Sequence, residues 1–63
     1  MMRKLKYLGS ERKEVWNMYL TVGAIYEAYN SVEHSGGEII RNDFFVPLQL
    51  NSERLRAFEV VHD

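Results

Sequence analysis

Residues 15–29 read Val15-Trp16-Asn17-Met18-Tyr19-Leu20-Thr21-Val22-Gly23-Ala24-Ile25-Tyr26-Glu27-Ala28-Tyr29. Two periodicities compete in this stretch. Trp16, Met18, Leu20 and Val22 alternate with Val15, Asn17, Tyr19 and Thr21, so a repeat of two gives one wholly apolar face and one mixed face, as in a strand with one buried side. Val15, Tyr19, Val22, Tyr26 and Tyr29 recur at steps of four and three, a helical stripe that Ser10 could cap. On periodicity the strand reading is the stronger. Thr21, Val22 and Gly23 interrupt the helix, and glycine in its middle costs about 1 kcal/mol relative to alanine. Met18 and Ile25 would also fall on its polar face. The expectation is a strand bent at Gly23, with Tyr26 and Ala28 on one face and Ile25, Glu27 and Tyr29 on the other.

Outward from this stretch, the chain reads as further strands. On the N-terminal side Lys4–Leu8 is short, with Leu5 and Tyr7 on one face, and a charged loop follows at Ser10–Glu14. On the C-terminal side Asn30–Gly37 is a loop by composition and Glu38–Arg41 a short strand. Asn42-Asp43 reads as a two-residue hairpin turn, because both residues tolerate positive φ. Phe44, Val46, Leu48 and Leu50 then alternate with Phe45, Pro47, Gln49 and Asn51. Pro47 cannot donate to a ladder, so that strand is an edge or is bulged. Asn51 and Ser52 are candidate caps for one helical turn through Glu53–Arg56. Ala57–Val61 closes the chain as a strand.

Sixty-three residues make one domain, spanning 1–63. A chain this short buries only about 60% of the surface its unfolded form exposes. It has no cysteine to staple it and only two histidines as soft metal ligands. A dense core or self-association must supply stability. One Trp, four Tyr and three Phe suit such a core. No apolar run approaches the roughly 18 residues that would cross a bilayer, and the absence of cysteine and of an export signal leads us to expect a cytoplasmic protein.

The order of motifs adds a resemblance. Leu20-Thr21-Val22-Gly23-Ala24-Ile25-Tyr26-Glu27-Ala28 resembles the Leu-Thr-x-Gly-x-x-Tyr-Glu-Val signature of short SH3-like barrel proteins found in Gram-positive bacteria and their phages. Lys4–Gly9 resembles their leading strand, Ser35–Ile40 their Gly-rich hairpin, Asn42-Asp43 their acidic turn, Phe44–Leu48 their aromatic strand with a proline, and Phe58-Glu59-Val60-Val61 their ending. The likeness covers most of the chain in the right order. It departs at Ser10–Val15 and at Leu48–Leu55, both longer than usual. It implies an all-β fold, a small five-stranded SH3-like barrel with one short helical turn before the last strand. Members mostly have no assigned activity, and the barrel hosts binders of several kinds.

No catalytic or cofactor motif stands out, and we expect a non-enzyme without metal or cofactor. Ser10, Ser31, Ser35 and Ser52 lie in loops, and Glu33-His34 beside Ser35 is explained by loop composition. A metal site from Glu33, His34 and Glu38 lacks ligand spacing. Gly36-Gly37 is a hairpin pair and not a phosphate loop. His62-Asp63 is terminal. The aromatics remain. The bland reading has Trp16, Tyr26, Phe44 and Phe58 as core with tyrosines covering it. The sharper one has some of Tyr7, Tyr19, Tyr29 and Trp16 lining an external groove.

Three functional expectations follow. The first is a protein-interaction module, a phage or prophage accessory protein that contacts a host or viral protein through Trp16, Tyr19 and Tyr29, with Glu11, Arg12 and Glu14 setting specificity. The second is a nucleic-acid binder using Arg3, Lys4, Lys6, Arg12 and Lys13 on phosphates. The net charge of −1 and a pI of about 6.1 argue against it, and five cations on a short segment also suit a guarded edge strand. The third is self-assembly, which a homodimer would satisfy.

Overall fold

The computed structural model describes residues 2–30 and 38–62. Its elements are β1 (Met2–Tyr7), β2 (Ile25–Asn30), β3 (Glu38–Arg41), β4 (Pro47–Leu50), α1 (Ser52–Leu55) and β5 (Phe58–Val61). The strands form one antiparallel sheet in the order β4-β3-β2-β1-β5. The first strand is therefore central and the last returns beside it. The loop expected at Asn30–Gly37, Gly36-Gly37, the Glu33 and His34 ligands and Asp63 lie wholly or mainly outside the described residues.

Alternation decides which face of each strand is buried. Leu5 and Tyr7 point inward from β1, and Tyr26 and Ala28 from β2. Ile40, Leu50 and Phe58 complete the buried core, with Leu5, Ile40 and Leu50 fully enclosed. The Tyr7 and Phe58 rings sit 5.2 Å apart at 51°, directly opposite each other across the β1–β5 ladder. Trp16, Leu20, Leu48, Leu55 and Val60 pack around this core half-buried. The turn α1 is capped as expected, the Asn51 side chain accepting from the Arg54 N–H at 2.8 Å.

The strand expected over 15–22 is absent. That segment is a series of turns, and the strand begins only at Ile25. Asn17 is the reason. Its side chain is 6% exposed. Its Oδ1 accepts from the Glu14 N–H at 2.7 Å and its Nδ2 donates to the Arg12 carbonyl at 2.9 Å. A short amide that satisfies its own neighbourhood competes with a ladder. The inward residues here are Trp16, Leu20 and Ala24, while Met18 and Val22 face solvent. Nor is the stretch a helix.

Two backbone bonds carry the β1–β2 pairing past the strand ends, Tyr7 N–H to Ala24 O at 3.0 Å and Gly23 N–H to Tyr7 O at 2.8 Å. Gly23 has φ +88°, which turns the chain out of the sheet, and Gly9 has φ +98° on the other side of the loop.

The expected two-residue turn and the strand from Phe44 are also corrected. Residues 42–46 form the connection, and β4 starts at Pro47. Asn42 Oδ1 accepts from both the Phe44 and the Val46 N–H groups, at 2.9 and 3.0 Å. Those donors are thereby taken from any ladder. Phe45 adopts φ +61°, a strained position for a bulky side chain. Phe44 is thus exposed and not core. The proline does sit on an edge strand, as expected.

The sheet does not close into a barrel. Strands β4 and β5 are its two rims, and no pairing among the described residues joins them. The turn α1 packs against both rims at that gap.

Candidate functional site

The loop between β1 and β2 is fastened to the β3–β4 connection by a hydrogen-bonded knot. The Tyr26 hydroxyl accepts from the Thr21 N–H at 2.8 Å and donates to Asp43 Oδ1 at 2.7 Å. The Thr21 hydroxyl donates to Asp43 Oδ2 at 2.9 Å. The Asp43 N–H donates to the Tyr19 carbonyl at 3.0 Å. Burial, with the Asp43 carboxylate adding to it, pushes the Tyr26 phenol pKa up, and the Thr21 N–H opposes the shift. Thr21, Tyr26 and Asp43 are therefore one device, which holds two connections together.

With both connections pinned, Tyr19 meets Phe44 edge to face, their centroids 4.7 Å apart at 84°. Val15, Trp16, Tyr19, Asn42, Phe44, Val46, Pro47, Leu48 and Arg54 line an open groove of about 640 Å³. Its walls are apolar and accessible: Val15 is 87% exposed, Phe44 67%, Val46 53% and Tyr19 47%. Such a contiguous apolar surface differs from the single exposed side chains that any protein carries.

A second hollow of about 430 Å³ shares Trp16 and Arg54 with the groove, and Gly9, Ser10, Arg12, Glu14, Asn51, Glu53, Arg56 and Ala57 complete it. The Arg54 guanidinium lies over the Trp16 ring, 5.4 Å from its centroid. Arg54 Nη1 donates to the Gln49 carbonyl at 3.0 Å, and Trp16 Nε1 donates to Glu14 Oε2 at 2.8 Å. The stacked pair is thus held from both sides and forms the shared wall.

Sequence reasoning placed Trp16 and Tyr19 at one site, and the structure brings them together. It sends Tyr29 elsewhere, to a hollow with Glu27, Arg41 and Phe45. Arg12 and Glu14 line the polar hollow, whereas the exposed Glu11 lines neither it nor the groove. Phe44, Val46 and Arg54 were missed as site residues. Asn42 ahead of three apolar residues was the available sign, since Asn favours a side-chain-capped turn over a strand.

The five basic candidates do not make one patch. Arg3 forms a bidentate pair with Glu38, its Nε 2.8 Å from Oε2 and its Nη2 on Oε1. Lys4 stands opposite Glu27 across the ladder, and Lys6 opposite Glu59. Directly opposed residues share a face, so each lysine has an acid beside it. Arg12 and Lys13 belong to the loop.

Comparison with family models, with curated proteins and with solved structures finds no match for this chain.

Proposed function

We propose that this protein is a non-catalytic interaction module that docks a short segment of another protein in the groove between its two pinned connections. The observation that carries this reading is the exposed aromatic wall of Tyr19 and Phe44, built by the Tyr26–Asp43 knot and not by accident of a frayed loop. A groove with few polar groups and a preformed shape is what peptide-recognising domains use. The likeness of its motifs to short SH3-like proteins of Gram-positive bacteria and their phages supports an accessory role inside such cells. The returning last strand beside the first is compatible with an SH3-like ancestry whose barrel is left open. The glutamates that stand opposite Lys4 and Lys6 across the ladders weigh against nucleic acid as the partner.

The test is selection from a displayed library of random twelve-residue peptides. Wild type is expected to enrich related sequences. A Tyr19→Ala, Phe44→Ala variant is expected to lose them, since aromatic anchors at an interface carry about 2 kcal/mol or more each, roughly 30-fold in affinity. Both side chains are exposed, so the variant should keep its circular dichroism spectrum. No enrichment by wild type, or equal enrichment by the variant, removes this reading.

A further inference from the structure

We infer that the partner segment is acidic as well as apolar: its apolar residues fill the groove, and its Asp or Glu side chains reach the hollow across the Trp16–Arg54 wall. This deepens the docking reading above and rests on it. Three arginines, Arg12, Arg54 and Arg56, line that hollow. Among the described residues none of them pairs with a carboxylate. The two acids in the same hollow leave them free: the Glu14 carboxylate is turned onto the Trp16 indole N–H, and Glu53 lies in the first turn of α1. A guanidinium without a carboxylate holds several donors in a fixed fork that suits an incoming one.

Charge complementarity selects the occupant. A nucleic-acid backbone would run a continuous row of phosphates past Glu14 and Glu53 and be repelled by both. One or two carboxylates spaced along a peptide meet the arginines and avoid the acids. Reach is no obstacle. The molecule measures 29 × 27 × 22 Å, and six extended residues span about 20 Å, enough to lie across two hollows that share a wall. Arg54 lines both hollows, its flat face on Trp16 and its Nη1 on the Gln49 carbonyl, which leaves its other N–H groups for a ligand carboxylate.

The same peptide library provides the test. The expected result is enrichment of sequences with an apolar or aromatic core and Asp or Glu on one flank. A selected peptide made with Asn or Gln in place of those acids should bind roughly five- to tenfold more weakly, with the gap closing at high salt. An Arg12→Gln, Arg56→Gln variant, which keeps only Arg54 of the three, should lose most of the preference for the acidic peptide and bind the neutral one as wild type does, through an intact groove. The lone Trp16 on the shared wall reports either event by its fluorescence. Groove-dependent enrichment without acidic bias overturns this inference and leaves the docking reading standing. Tight binding of a single-stranded oligonucleotide, with no peptide enriched, overturns both.

Discussion

Replacing Tyr26 by phenylalanine removes one oxygen and leaves the ring in the core. That oxygen donates to a carboxylate at 2.7 Å and accepts an amide N–H at 2.8 Å. A hydrogen bond to a charged partner contributes about 1.5–3 kcal/mol. Asp43 is exposed, so water recovers part of its solvation, and a loss of about 1–2 kcal/mol is expected. A domain of this size has roughly 3–9 kcal/mol of stability in all. At about 4–8 °C per kcal/mol, the midpoint of thermal unfolding should drop by roughly 5–15 °C. Urea unfolding followed by circular dichroism measures the change directly. A cycle with Asp43→Asn should return a coupling energy of about 0.5–2 kcal/mol.

The pH dependence has a definite sign. The folded phenol pKa lies above its unfolded value of about 10. The contribution of the knot is therefore complete below pH 10 and declines as pH rises through the folded value. The gap between wild type and Tyr26→Phe should be wider at pH 9 than at pH 11. A variant within about 0.5 kcal/mol of wild type at pH 7 would refute the claim that this knot holds the two connections.

The two glycines of positive φ should respond differently to alanine. Both changes place a Cβ in the left-handed region and cost about 1 kcal/mol of strain, but the new atom at Gly9 also meets Val22 Cγ2 at 3.3 Å, whereas at Gly23 it meets open space. Gly9→Ala should be the more damaging in urea, and Val22→Ala should restore part of the loss. Leu50 and Phe44 were both read from the same alternating run, yet Leu50→Ala should cost about 2–5 kcal/mol and Phe44→Ser, which loses only the edge-to-face contact with Tyr19, about 0.5–1.5 kcal/mol, as compared by the same unfolding curves; equal losses would restore the expected strand from Phe44.

The sheet was legible where alternation and burial are the same fact. Leu5 and Tyr7, Tyr26 and Ala28, and the edge position of Pro47 followed from a period of two and a missing N–H. The errors share one cause. Asn17 and Asn42 each spend a side-chain amide on nearby backbone groups, and each dissolves a strand that hydrophobic alternation announced. Alternation records which residues are apolar and not where backbone donors go. The site was half legible for the same reason. Trp16 and Tyr19 stood out as surplus aromatics, but Phe44 entered only the core reading and not the groove reading, because its turn was read as a strand. Barrel closure depends on whether β4 reaches β5, and nothing in the spacing of residues 48–58 foretold that α1 would stand at the gap.

The strand order has a kinetic consequence. Leu5 pairs with Val60 and Tyr7 with Phe58, contacts that join nearly opposite ends of the chain. Closing so long a loop must precede the reward of that ladder, so this small protein should fold in milliseconds or more slowly, well behind helical chains of equal length. Until β5 arrives, the inner face of β1 has only the neighbouring hairpin to cover it, and the Tyr7–Phe58 ring contact should be among the last to form.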